Sequence, residues 1–116
     1  MRIREVLEEY EAQLKPTQTG APATGRSAHG KGEWKVYSNG TRQCKIWVAG
    51  LNLADGAVLQ IGVSGRQMGE VMVRDGRARY RRESERGEAV PALEPRQLLQ
   101  VSYAGQVILE GEFYSE

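Results

Sequence analysis

The residue types that carry most enzyme chemistry are scarce in this chain. Of its 116 residues one is histidine, His29, and one is cysteine, Cys44. A metal centre built on Cys or His needs several such ligands converging, so only carboxylates are left for one. No Asp-rich loop of the calcium type is present, and Asp55 and Asp75 each precede a glycine, which makes them turn formers. Attack by Ser64, Ser84 or Cys44 would require an adjacent base, and His29 sits in a Gly-, Pro- and Thr-rich stretch that does not hold a base in place. Nothing selects a pair of carboxylates across a cleft, as a glycosidase would need. Gly62, Gly65 and Gly69 do not open a helix and make no phosphate loop. The expectation is a protein with no catalytic residue, no cofactor and no metal; an enzyme with an unrecognised carboxylate site stays as the third alternative.

Arginine is what the chain concentrates. Arg74, Arg77, Arg79, Arg81, Arg82 and Arg86 stand among Asp75, Glu83 and Glu85, whereas from Gly87 onward Arg96 is set against Glu88, Glu94, Glu110, Glu112 and Glu116. On one reading the two stretches neutralise each other through cross-strand pairs worth ~0.2–1 kcal/mol each, and a charged edge blocks unwanted sheet pairing. On the other, Arg77, Arg79 and Arg81 are an anion-binding row, because guanidinium forks hold carboxylate or phosphate bidentately. The overall balance of 16 Lys plus Arg against 15 Asp plus Glu leaves a net charge of +1, which argues against a general nucleic-acid binder. Tyr80 alternates with the arginines and so points to the other face of its strand; it builds no stacking platform with them. Trp34 and Trp47 are candidate anchors for a partner, since exposed aromatic patches tend to be interfaces.

Three segments position these residues. Residues 1–15 read as an amphipathic helix whose apolar stripe is Ile3, Val6, Leu7, Tyr10 and Leu14, with Arg4, Glu5, Glu8, Glu9 and Glu11 opposite and Pro16 as the stop. A helix of that length is marginal alone in water, so its stripe is expected to dock on its own domain or on a neighbouring subunit. Residues 16–32 contain no large apolar side chain and read as a flexible linker. Residues 33–116 alternate at period two between turn signals, which predicts an antiparallel β-sandwich of about seven strands. The turns are placed at Asn39-Gly40, Asp55-Gly56, Ser64-Gly65, Asp75-Gly76 and Ala104-Gly105. Cys44, Ile46 and Val48 share one face of a strand and Lys45 and Trp47 the other. Gly62, Gly69 and Gly111 fall inside strands and mark bulges or close sheet approach, and 83–95 is the longest irregular connection.

The run WKVYSNGTRQCKIWVAGLNLADGAVLQIGVSGRQMGEVMVRDGRARY, followed by RGEAVP and VILEGEF, resembles small bacterial all-β domains of no assigned activity. Those carry a "gLnLpdG" phrase, a "G..vP" loop and a closing "il.G.F" strand. The resemblance spans residues 32–113 and implies the β-sandwich and no site. With no apolar run long enough to cross a bilayer and no secretory leader pattern, a cytoplasmic location is expected. The functional expectation is a non-enzymatic interaction or assembly module that self-associates. The alternative is an Arg-faced binder of acidic ligands or nucleic acid, with nucleic acid not favoured.

Overall fold

Alternating side chains and glycine-bearing turns build nine antiparallel strands in the computed structural model, which describes residues 5–17, 24, 27–94 and 96–115. They are β1 (Val6–Pro16), β2 (His29–Tyr37), β3 (Arg42–Ala49), β4 (Val58–Val63), β5 (Arg66–Met72), β6 (Ala78–Glu83), β7 (Leu98–Tyr103), β8 (Gln106–Glu112) and β9 (Tyr114–Ser115). Their lateral order is β5-β4-β7-β8-β1-β2-β3-β6, with β9 paired to β1. A 3-10 turn, Ser84–Arg86, follows β6. Among the described residues no helix is long and apolar enough to cross a membrane.

The sheet curls into a nearly closed barrel, and β1 is the strand that makes this possible. Its first part pairs with β2, from Val6↔Tyr37 to Leu14↔Gly30, and its end turns to β8 through Lys15↔Glu110 and Pro16↔Leu109. The two outer strands, β5 and β6, then face each other across a seam without joining in a ladder. A side chain closes it. The Tyr80 ring lies on Gly69, where a Cβ would come within 2.8 Å of it, and the Tyr80 hydroxyl donates to the Met68 carbonyl at 3.5 Å. Glycine on an edge strand here makes room for an aromatic ring from the opposite edge. The Arg82 guanidinium sits 4.4 Å from the centre of the same ring, a cation–π contact. Inside, Trp34, Phe113, Leu14, Leu59, Ile61, Leu99, Ile108 and Leu109 are fully buried and fill one core.

The N-terminal helix is not seen. Val6–Pro16 is a strand, and its inward residues are Tyr10, Ala12 and Leu14, all buried. Tyr10 and Leu14 stand four apart, a spacing that suits both a helical stripe and a period of two. Ala12, too small to register as apolar pattern, is the residue that separates the readings. Val6 and Leu7, placed on the buried stripe by the helical reading, are 45% and 64% exposed; Ile3 lies outside the described residues. The strand wins because β2, β8 and β9 supply ladder partners along its length, whereas an isolated helix of this size has little stability of its own.

The linker reading needs a matching correction at its ends. Pro16 closes β1, and His29–Gly32 opens β2, with Gly30, Lys31 and Gly32 in register with both β1 and β3. Gly30 and Gly32 are buried there, beneath Leu14, Val48 and Leu99. Residues 18–23, 25 and 26 lie outside the described residues. In place of a seven-stranded sandwich there are nine strands in one barrel-like sheet, because the segment read as a helix is β1, the end of the linker lengthens β2, and Tyr114–Ser115 adds β9 against β1.

The turns follow their chemistry closely. Ser64, Asp75 and Ala104 adopt φ of 49°, 53° and 50°, each followed by a glycine at φ 83°, 69° and 83°, the two-residue type I′ hairpins whose twist suits flanking strands. Asn39-Gly40 differs, since only Gly40 is left-handed, at φ 82°. Asn39 instead accepts from the Thr41 backbone N–H at 3.0 Å with its side-chain oxygen, and the chain closes through Tyr37 N–H to the Thr41 carbonyl at 2.9 Å.

Candidate functional site

Two adjacent strands present the arginine row. In β3, Cys44, Ile46 and Val48 point into the barrel and Lys45 and Trp47 point out; in β6, Ala78 and Tyr80 point in and Arg79 and Arg81 point out. The register sets Trp47 beside Arg79 and Lys45 beside Arg81. On the other flank Lys31 lies beside Trp47 and Glu33 beside Lys45. Trp47 is 39% exposed, and the His29 ring meets it edge-on, with centroids 5.4 Å apart and planes at 86°. A shallow concavity of about 350 Å³ is lined by Lys45, Ile46, Trp47, Arg79, Tyr80 and Arg81.

The charges on this face are unequal in their freedom. Arg81 donates to Glu83 at 3.0 Å, and Arg86 pairs with the same carboxylate at 2.9 Å. Glu83 is buried, and Gln43 donates to it at 2.7 Å while receiving the Tyr37 hydroxyl at 2.9 Å. Lys31 is taken up by Glu11 and by Glu33. Lys45 and Arg79 make no hydrogen bond or ion pair through their side chains to any described residue, and both remain accessible. Arg77 continues the row just before β6, its backbone bridged to Arg74 across the Asp75-Gly76 turn. Away from this edge the carboxylates of β1 are paired, Glu9 with Lys35 and the buried Glu11 with Lys31. The face is therefore a flat aromatic ring flanked by free cations, suited to an anionic group on an extended or planar ligand.

Sequence reasoning placed Arg79, Arg81 and Trp47 on surfaces, and the fold brings the three together. It does not bring Trp34 or the apolar residues of the N-terminal stripe there. Trp34 is fully buried, with its indole N–H donating to the Pro91 carbonyl at 3.2 Å and its ring edge-on to Phe113 at 5.7 Å. Tyr10 and Leu14 are core, and Val6 and Leu7 lie at the far end of β1. Lys45 was missed as a partner of the row although it shares a strand face with Trp47. Glu83 was missed because its burial depends on Gln43, which lies on another strand. Among the described residues no group of three or more His, Cys, Asp or Glu is gathered to hold a metal ion.

Burial pushes the Cys44 thiol up to about 11, against the opposing pull of the Arg82 backbone N–H and guanidinium. Burial also raises Tyr80, and a hydrogen bond to Glu8, reinforced by burial, raises Tyr10. Each group prefers its neutral form in the fold. A pKa raised above the unfolded value gives stability that is full below the unfolded pKa and is lost as pH climbs through the folded one. Denaturant midpoints are therefore expected to hold up to roughly pH 9 and fall between roughly pH 9 and 11, with Cys44 inert to a thiol reagent at neutral pH until denaturant is added. A midpoint that rises across that window, or a thiol titrated at once in the native protein, would contradict this account.

No protein-family model matches the chain and no curated protein is found similar to it, which agrees with a resemblance that carries no assigned activity.

Proposed function

We propose that this protein is a non-enzymatic interaction module that engages an acidic partner through the outer face of β3 and β6. One observation carries the reading: Trp47 lies in register beside Arg79, and neither Arg79 nor Lys45 is neutralised by a described residue. Successive arginines of the row stand about 6.7 Å apart by strand geometry, so an extended acidic segment can meet several of them. The modest net charge of +1 favours an acidic protein segment over nucleic acid, whose affinity rests on a broad basic surface.

Intrinsic fluorescence tests it, because Trp47 is exposed and Trp34 is not. Poly-L-glutamate at low salt is expected to perturb the emission, with the effect lost at high salt. Arg79→Ala is expected to weaken binding by about three- to tenfold, and Trp47→Phe to abolish the signal. A low-salt titration with no change would sink the reading. Single-stranded DNA binding more tightly than poly-L-glutamate would move it to nucleic acid.

A second reading, in which the acidic partner is another copy, is favoured by the far end of β1. There Val6 and Leu7 are exposed beside Glu5 and Glu8, an apolar and acidic edge complementary to an aromatic and basic face. Light scattering at low salt is expected to show a dimer or larger species that Arg79→Glu and Leu7→Ser each reduce to monomer. A monomer at every concentration removes self-association and leaves the first reading standing.

A further inference from the structure

The seam between β5 and β6 is closed by Tyr80 at one level and opens below it. At that opening a solvent-open cleft of about 470 Å³ is lined by Arg42, Arg66, Gln67, Met68, Ser84, Glu88, Ala89, Val90 and Pro91, a volume within the range of small-molecule sites. Mouths of β-barrels are frequent places for such sites. Arg42 stands at the start of β3 on the inward parity of Cys44 and Ile46, so its side chain runs toward the end of the barrel. Its backbone N–H is satisfied by the Ser84 hydroxyl at 2.7 Å. Its Nε is buried and has no hydrogen-bond partner among the described residues.

A buried guanidinium N–H left unpaired is costly, and native proteins rarely keep one without a role for it. Arg66, at the start of β5, likewise makes no side-chain hydrogen bond or ion pair to a described residue. Glu88 is the carboxylate of the lining, and it is already engaged, with its Oε1 accepting the Glu83 backbone N–H at 3.1 Å and its Oε2 3.9 Å from Arg82. Two guanidinium groups thus line the cleft against a single carboxylate that is turned to other partners, while Met68, Ala89, Val90 and Pro91 give it an apolar wall. Planar forks of this kind select a carboxylate, and the wall selects what the carboxylate is attached to.

We propose that this cleft is a binding site for a small monocarboxylate with an apolar chain, held by Arg42 and Arg66 at its charged end and by Met68, Val90 and Pro91 along its body. The site is separate from the Trp47 face, and its occupation does not depend on that face. The 84–91 connection, which supplies Ser84 and the stretch from Glu88 to Pro91, covers the ligand from one side.

Amide-resolved NMR titration with octanoate, and with octan-1-ol as the uncharged equivalent, tests it on the full chain. Octanoate is expected to shift the amides of Met68, Glu88, Ala89 and Val90, and octan-1-ol to bind at least about tenfold more weakly. Arg66→Gln, at an exposed position that folding does not need, is expected to weaken octanoate about tenfold, and Arg42→Gln by at least as much, while Trp47→Ala leaves it unchanged. Should Arg42→Gln fail to fold, Arg42→Lys serves in its place, keeping the charge and losing the fork. Octanoate shifts that ignore both arginine variants, or octan-1-ol binding as tightly as octanoate, would overturn the proposal. So would inorganic phosphate displacing octanoate at equal concentration, since it has no apolar body.

Discussion

Trp34→Ala is expected to lower the unfolding free energy by about 3–5 kcal/mol, the range for deleting a fully buried large aromatic. Domains of ordinary stability have only ~5–15 kcal/mol in total, so this variant should be partly unfolded at modest denaturant. Three contacts are lost together. The indole is fully buried, meets Phe113 edge-on at an interplanar angle of 80°, and ties the 87–94 connection to β2 through its hydrogen bond to Pro91. Trp34→Phe keeps an aromatic ring and forfeits the indole N–H, and is expected to cost about 1–2 kcal/mol. Trp47→Ala, at the exposed position, should cost about 1 kcal/mol and remove binding instead. Denaturation followed by circular dichroism separates the two tryptophans, and equal losses for both would contradict the division between core and face.

Gly111→Ala is the second large effect, about 3 kcal/mol or more, at the upper end of what overpacking costs. On β8, Gly111 lies opposite Leu99 of β7, next to the residues where β1 passes from β2 to β8. A Cβ there would collide with the backbone carbonyl of Gln13, coming 2.7 Å from its carbon. A backbone atom in a ladder cannot swing aside as a side-chain tip can, so the strands must separate and the closure of the barrel goes with them. Gly105→Ala provides the contrast. Nothing lies within 4 Å of its Cβ, and its cost is confined to the strain of φ 83°, about 1–2 kcal/mol. A urea midpoint for Gly111→Ala within the error of the parent protein would show that β1 does not cross β8 at this point.

The local features of the β region were readable, and they were readable for a physical reason. A left-handed residue pair demands Gly or a tolerant neighbour, so Ser64-Gly65, Asp75-Gly76 and Ala104-Gly105 announce their hairpins. Alternation puts Cys44 with Ile46 and Val48, and Arg79 opposite Tyr80, without any knowledge of what lies beside them. The glycines inside strands also kept their promise: Gly62 sits at a bulge, Gly69 beneath Tyr80 and Gly111 against β1.

Residues 6–16 were not readable in the same way. Glu8, Glu9 and Glu11 are good helix formers and poor strand formers, and their strand is held by ion pairs across to β2, Glu9 to Lys35 at 3.7 Å and Glu11 to Lys31. Lys31 lies inside the turn-rich stretch that composition assigns to a linker, and Lys35 lies just beyond it. The candidate face was half visible: the arginine row and Trp47 each stood out, but nothing local says that they are neighbours.

From sequence alone, then, came the turn types, the inward and outward parity of most strands, the common face of Cys44, Ile46 and Val48 and the existence of an arginine row. The tertiary structure decided that β1 is a strand, that the sheet curls until Tyr80 meets Gly69, that Trp34 is core and Trp47 surface, and that Arg42 ends without a partner beside Arg66. Parity and turn chemistry depend on a residue and its immediate neighbours, whereas pairing depends on segments up to a hundred residues apart meeting in one register, which no window along the chain contains.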